Sequence, residues 1–337
     1  MNKNNKNNSI LHIVSSLQVG GAERFVVDLC QIQQSRYEHI AIMSFGKTND
    51  ALQQVCQKQN ITVFNVLGGR ISKWKKIINT FANYDVIHCH SPYPFKLLSV
   101  LLPFYKKKKI IYTRHGANPL ASRSWKKLHR YIEKYVNIIT FVSHEGAEVF
   151  TSNHDWEKHC KHVIDNGVNI NEIKINREQS SLLRIGSVGR MVALKNQRCL
   201  LEAIALLTIE QQKKIEINFY GDGPCLIELQ QYSDQHLTKG QVQFHGMVND
   251  RNKIYNAFDV LVVTSETEGL SLAIIEAMAY ECTTLATEVG GNPKLVEHNG
   301  NGWLFTYDDA QQLSEYIVKL LDNQSLLKEF GQAGVKK

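Results

Sequence analysis

The stretch DVLVVTSETEGLSLAIIEAMA, residues 259–279, decides how this chain folds. Its opening run from Asp259 to Thr264 is short, apolar and rich in valine, which reads as a buried parallel strand. Gly269 marks the turn that follows. Leu272, Ile275 and Ala279, with Ala273, Glu276 and Met278, read as a packed helix beyond it. A strand, a glycine turn and a helix start form an anion-binding geometry, because backbone N–H groups without helical partners converge where the helix dipole is positive. The same turn carries two carboxylates, Glu268 and Glu276, eight residues apart. A carboxylate offers only acceptors, so it suits a ligand rich in hydroxyls. Phosphates and several hydroxyls on one molecule describe a nucleotide-sugar.

Outward from this stretch the chain alternates strand and helix throughout. Strand-like runs fall at 10–16, 39–45, 61–66, 86–90, 110–115 and 138–143, then at 183–188, 215–220, 242–245, 260–264, 284–287 and 303–305. Amphipathic helix patterns separate them, for example over 22–33 and 125–136. Such alternation predicts parallel sheets with helices on both faces, and 337 residues predict two domains. The polar stretch 169–181 is the natural linker, which places an N-terminal domain at 1–168 and a C-terminal one at 182–337. The expected architecture is α/β: two Rossmann-like domains with parallel sheets facing an interdomain cleft, binding ligands at their carboxyl edges.

Composition agrees with this. A hydrophobic fraction of 43% supplies two cores. No run of about 18 apolar residues occurs, so no membrane span is predicted. The N-terminal MNKNNKNNS is polar and lacks the apolar core of a signal peptide, which predicts a cytoplasmic protein. The seven cysteines (30, 56, 89, 160, 199, 225 and 282) are scattered and never form CxxC. Most fall in apolar runs, which predicts reduced, buried thiols and no metal site. Charge is unevenly placed: residues 1–175 carry 24 Lys+Arg against 12 Asp+Glu, and residues 176–337 carry 15 against 20. The excess gathers at Lys73, Lys75 and Lys76, at Lys106 to Lys109, and at Arg123, Lys126, Lys127 and Arg130, with Trp74 and Trp125 inside two of these patches. Basic residues beside interfacial aromatics suit an anionic membrane surface. A merely solvated face is the plain alternative for each patch. All three lie in one half of the chain, so the expectation is peripheral attachment at the inner face of the membrane, and no nucleic-acid partner.

Several residues at strand ends have chemistry that fits a phosphorylated ligand. Gly20 and Gly21 follow the first strand and open a helix, where backbone can approach a phosphate closely. They do not complete G-x-G-x-x-G, and no acidic residue clearly ends the second strand, which argues against a nicotinamide cofactor. Arg190 and Lys195 follow the first strand of the second half. Fixed cations there would stabilise negative charge building on a leaving diphosphate. His115, in YTRHG, ends the fifth strand beside Gly116, and His90 and Ser91 end the fourth.

Taken in order, the motifs resemble one family. EGLSLAIIEAMA (268–279), SLQVGGAERFVVDL (16–29), NGVN (166–169), GSVGRMVALKN (186–196), FYGDGP (219–224), FHGMVND (244–250) and GGNPKLVEHNGNGWLF (290–305) match the retaining glycosyltransferases of the GT-B fold, family 4, over nearly the whole chain. The resemblance implies a retaining, metal-independent hexosyltransferase. Its donor would be a nucleotide-diphosphate sugar, UDP- or GDP-linked, with no cofactor. Its acceptor would be a hydroxyl of a cell-surface polysaccharide or a lipid-linked glycan. By the same resemblance Arg190 and Lys195 hold the donor phosphates. Glu268 contacts the transferred sugar, helped by the N–H groups of Gly269, Leu270 and Ser271, and Glu276 contacts the ribose. The apolar neighbours Ile275 and Ala277 turn Glu276 inward, where ribose hydroxyls are expected to partner it. His115 lies near the donor sugar, and Asn166 and Gly167 form a hinge-side turn.

Three departures are visible. Leu270 and Ser271 replace the usual FG of EGFG, Asn169 replaces a common Asp, and Lys294 replaces a common Glu. The sequence also ends at EFGQAGVKK (329–337), where the family usually continues a long helix back to the first domain, so a shortened or absent crossing is expected. The alternative reading is a catalytically silent GT-B partner subunit that only binds nucleotide-sugar.

Overall fold

Short β-branched runs, too brief for helices and apolar on both faces, build two fully parallel sheets whose helices cover both sides. The computed structural model describes residues 9–337 except residues 19, 117–118, 155, 157–159 and 179, so the polar run 1–8 lies outside the described residues. The chain divides into two compact units, residues 1–166 and 167–337.

The first unit contains β1 (Ile10–Val14), β2 (Ile40–Ser44), β3 (Thr62–Asn65), β4 (Val86–Cys89), β5 (Lys109–Arg114), β6 (Ile138–Phe141) and β7 (Cys160–Val163). Their order is β3-β2-β1-β4-β5-β6-β7. The second contains β8 (Leu183–Val188), β9 (Ile215–Tyr220), β10 (Val242–Phe244), β11 (Val260–Val263), β12 (Thr283–Thr287) and β13 (Gly302–Phe305), ordered β10-β9-β8-β11-β12-β13. Each sheet begins in its middle, grows to one side, then crosses over. Each therefore has a topological switch point, between β1 and β4 and between β8 and β11, which is where such sheets open a crevice.

Period-two alternation sorts each central strand onto two cores. In β1, Leu11 and Ile13 join one cluster with Met43, Phe81 and Tyr112. Val14 joins the other, under Val26, Val27 and Cys30 of the helix Gly21–Gln33. His12 shares the Val14 face and is completely buried, so it needs polar partners there. In β8, a Cβ at Gly186 would lie 2.2 Å from the Phe258 ring, so glycine is what lets that ring pack flat on the sheet.

Three details differ from the sequence expectations. β7 has no counterpart among the expected runs: it is a four-residue edge strand carrying Lys161 and His162, paired only to β6, and too short and polar to show in the pattern. The helix expected over 125–136 is Arg123–Ile132, started by Ser122, whose hydroxyl accepts from the Trp125 N–H. In the helix Leu272–Ala279 the buried positions are Leu272, Ile274, Ala277 and Met278, so Ile274 rather than Ile275 faces the core. The last helix, Ser325–Val335, packs on its own unit: a Cβ at Gly331 would meet the Glu281 carbonyl at 2.3 Å, and Gly334 lies beside Met278. Cys30, Cys56, Cys89, Cys199 and Cys282 are free and buried, and Cys225 is free and half-buried. No helix among them is long and apolar enough to cross a membrane.

Candidate functional site

In the second unit the switch point is held together by backbone before any charge is placed. Gly221, at φ +140°, is forced to be glycine because a Cβ would sit 2.0 Å from the Gly189 carbonyl. This close approach turns the chain after β8 through Arg190 and into the short 3₁₀ turn Ala193–Lys195. Two bonds then staple that turn to the loop after β11. The Thr264 hydroxyl donates to the Lys195 carbonyl at 2.7 Å, and the Glu266 N–H donates to the Leu194 carbonyl at 2.8 Å.

The staple brings two of the expected residues into contact. Lys195 Nζ donates to Glu268 Oε1 at 2.5 Å, and Ser265 Oγ donates to the same oxygen at 2.7 Å. Glu268 Oε2 has no protein partner among the described residues. It remains an acceptor for a ligand hydroxyl. Arg190 is exposed, and its guanidinium is unpaired among the described residues. Gly269 is clamped from behind: the Gly291 N–H donates to its carbonyl at 2.8 Å, and a Cβ at Gly291 would lie 2.1 Å from that oxygen. Leu270 and Ser271 are buried, with Ser271 extended at the start of the helix Leu272–Ala279. Lys294 is exposed on the turn Asn292–Leu295.

Glu276 has two partners from the protein itself. Arg251 Nε donates to Oε1 and Tyr255 Oη to Oε2, each at 2.6 Å, and the Arg251 and Glu276 side chains are each 12% exposed. Arg251 and Tyr255 sit four apart on one helix, Arg251–Tyr255, whose N-cap Asp250 accepts from the Asn252 and Lys253 N–H groups. That spacing behind FHGMVND was the available signal. Burial, then the Glu276 charge, pushes the Tyr255 phenol well above its ordinary range, so it stays a donor.

The first unit fills its switch point differently. Gly20 caps and Gly21 opens the helix Gly21–Gln33, as expected. The sequence reading missed Glu23, whose carboxylate lies 2.4 Å from where a Gly20 Cβ would be and puts negative charge in that first turn. His115 directly follows β5 and His90 directly follows β4, and the two meet: His90 Nδ1 to His115 Nε2 is 3.1 Å. His90 Nε2 lies 2.9 Å from His12 Nδ1, and His12 Nε2 lies 2.8 Å from Gln33 Oε1. His88 packs against His90 with ring centroids 3.9 Å apart and the rings tilted by 35°, and its Nε2 lies 2.6 Å from Thr113 Oγ1. Phe25 presents its ring edge-on to His115 at 5.4 Å. Ser91 Oγ pairs with Ser15 Oγ at 2.5 Å.

Burial holds His12 and His115 down at about 4, and holds His88 and His90 well below the ordinary histidine range. The rings are therefore neutral at pH 7. His12, His88 and His90 each offer a ligand nitrogen within 4.8 Å of the others. The 2.9 Å contact between His12 and His90 is nevertheless a hydrogen bond. Two nitrogens on one tetrahedral metal at about 2.0–2.1 Å each would stand roughly 3.4 Å apart. Asn166 closes the first unit and Gly167 opens the second.

The two tryptophans of the basic face are each partly covered. Trp74 packs against the first unit's core, and Trp125 is half-buried with Lys96 Nζ 5.4 Å above its ring. Lys108 donates to the Ala82 and Tyr84 carbonyls, where it closes the helix Arg70–Ala82. The most exposed apolar side chains near the lysines are Ile71, at 86%, and Phe104, at 81%.

Comparison with known proteins follows the same division. The profile described as Glycosyl transferases group 1 matches residues 169–337, and the one described as Glycosyltransferase Family 4 matches residues 19–172. The putative glycosyltransferase EpsD of Bacillus subtilis is 24% identical over 298 residues, covering 82% of this chain and 76% of that protein. The capsular polysaccharide biosynthesis glycosyltransferase CapH of Staphylococcus aureus is 26% identical over 305 residues, covering 86% and 84%. Among solved structures, Anabaena HepE in complex with UDP and glucose superposes with a TM-score of 0.84 at 20% identity, covering 97% of this chain and 94% of that one. A TarM variant from S. aureus, in complex with fondaparinux, alpha-GlcNAc-glycerol and UDP, superposes at 0.77 and 14% identity, covering 98% and 96%.

Proposed function

Because the chain belongs to the group 1 glycosyl transferases and has their GT-B fold of two parallel-sheet α/β units, we propose a specific reaction for it. It moves a hexose from a nucleoside-diphosphate sugar to a hydroxyl of a cell-surface polysaccharide or lipid-linked glycan, with retention and without a metal ion. The observation that carries this reading is the Lys195–Glu268 pair at the switch point beside an unpaired Arg190. Departure of a nucleoside diphosphate leaves negative charge on phosphate oxygens. Lys195 and Arg190 stabilise that charge more in the transition state than before it. Glu268 then orients the sugar, with Oε1 held by Lys195 and Ser265 and Oε2 able to accept a hydroxyl. Gly20 and Gly21, at the first helix's N-terminus, are assigned to the donor's phosphate side, and His115 to its sugar.

The relatives support the substrate class. CapH is a capsular polysaccharide biosynthesis enzyme, and HepE is seen with UDP and glucose. A UDP- or GDP-sugar donor and a glycan acceptor at the cytoplasmic face of the membrane are the reading for this chain. Attachment there would use Ile71 and Phe104 with Lys73, Lys75, Lys76, Lys106 and Lys107.

A donor-hydrolysis screen over UDP- and GDP-sugars, run with and without EDTA, tests the reaction. Turnover of one donor, unchanged by EDTA and yielding product of the same anomeric configuration, is expected. Nucleotide binding by thermal shift without any turnover would favour a silent binding subunit instead. Acidic liposomes should bind the protein at low salt and release it at about 0.5 M, as a screened charge attraction requires. Lys106→Ser with Lys107→Ser should weaken that binding, leaving Lys108 in place to hold its helix.

A further inference from the structure

The imidazoles of the first unit form one continuous hydrogen-bonded line: Gln33, His12, His90, His115. Its members are far apart in sequence and meet only because β1, β4 and β5 lie side by side. A neutral imidazole has one N–H and one lone pair, so each ring in such a line dictates the next. Gln33 Oε1 can only accept, which makes His12 Nε2 the donor and His12 Nδ1 the acceptor. His90 Nε2 must then donate to His12, and His115 Nε2 must donate to His90. Every ring carries its proton on Nε2. The line ends at His115 Nδ1, which is buried and has no hydrogen-bond partner among the described residues. By this count it is a lone pair. His88, bonded to Thr113, packs against His90 with its ring centroid 3.9 Å away. Burial keeps the rings uncharged, so no second proton breaks the order.

We propose that Gln33 is a positioning residue: acting through His12 and His90, it fixes the tautomer of His115 and presents Nδ1 as an acceptor to a hydroxyl of the bound sugar. The hydroxyl's identity rests on the glycosyl-transfer reading; the tautomer does not. Without Gln33 Oε1 the line can run either way. Both directions keep the two bonds between imidazoles and differ only in which end is left with an unpaired N–H.

The test uses the whole protein labelled with ¹⁵N-histidine, without donor, at pH 7.5. Long-range ¹H–¹⁵N correlation distinguishes the two tautomers, and His115→Gln assigns the signal. The wild type should show His115 protonated on Nε2. Gln33→Leu should show a second tautomer at His115, and Gln33→Glu, which keeps the acceptor, should restore the single form. Gln33→Met replaces Gln33→Leu if the latter is unfolded by circular dichroism. In turnover, Gln33→Leu should lower kcat at least threefold with donor KM within twofold of wild type, and Gln33→Glu should recover most of it. A wild-type His115 protonated on Nδ1, or a folded Gln33→Leu protein with an unchanged His115 tautomer, overturns the proposal. Failure of the glycosyl-transfer reading would appear separately, as a wild-type protein that turns over no donor while the tautomer pattern stands.

Discussion

The two sheets share a topology and solve the same problem with opposite chemistry. At the β8/β11 switch point the second unit places ion pairs: Lys195 with Glu268 there, and Arg251 with Glu276 on the helices behind it. At the β1/β4 switch point the first unit places neutral imidazoles in series. The difference follows from depth. Lys195 and Glu268 stand beyond the strand ends, where water still screens part of their charge. His12 lies within a strand under a helix, completely buried, where a charge would be unaffordable and only a shared hydrogen bond satisfies it. One fold can therefore present either charge or oriented lone pairs at the same sheet position, according to how far down the strand the polar residue sits.

The largest effect expected from this contrast is a difference in acid stability. A histidine held at about 4 in the folded unit is neutral there, but titrates near 6.5 once unfolded. Below pH 6.5 the unfolded chain binds the proton that the folded one refuses, so stability falls as pH drops from 6.5 to about 4 and levels off below that. His12 alone contributes a loss on the order of 3 kcal/mol over that window. His88, His90, His115 and His129 act in the same direction, whereas His245 is the histidine so shifted in the second unit. Circular dichroism with tryptophan fluorescence between pH 7 and 4 should show the first unit unfolding before the second. Simultaneous loss of both units would break the contrast.

Next comes the ion pair behind the second site. Arg251→Leu leaves Glu276 with only Tyr255 in a site that is nearly closed to water, and should cost the second unit about 3 kcal/mol in urea unfolding. A loss below about 1 kcal/mol would mean that Glu276 is better hydrated than its packing indicates. Smaller again are the cations at the strand end. Lys195→Ala and Arg190→Ala should each reduce kcat/KM at least about tenfold, the value of one charge-assisted contact, with little change in melting temperature. Wild-type turnover in either variant removes that residue from the site. The smallest effect is Tyr255→Phe, expected to cost about 1 kcal/mol of stability because Glu276 keeps Arg251. A loss as large as that of Arg251→Leu would show the phenol, not the guanidinium, to be the main partner.

How much of this was legible in sequence follows the range of each contact. The strand, turn and helix of 259–279 are local, so the apolar run, the glycine and the two carboxylates could be read directly. The Lys195–Glu268 pair was foreseen only as two residues of one site, because the staple through Thr264 and Glu266 is made in space. Arg251 and Tyr255 lie outside the 259–279 motif, and although their i, i+4 spacing is visible in sequence, nothing local ties them to Glu276. The imidazole line was out of reach: His12 and His90 are 78 positions apart, and no periodicity links Gln33 to either. Ile275 was misplaced by one position, since in a helix only eight residues long the apolar stripe is wide enough to admit two registers.

The grip of Arg177 bears on how the protein can be taken apart. Its guanidinium donates to the carbonyls of Tyr255, Tyr280 and Glu281 and also reaches the Cys282 thiol, while Asn252 and Asn256 hold the backbone at Lys174 and Asn176. A recombinant fragment starting at residue 182 would strip those carbonyls of their donor in a place where water has little access. One starting at Gly167 carries its own plug. The polar, Asn-rich segment that looks expendable on paper is thus the piece to retain when the second unit is expressed alone.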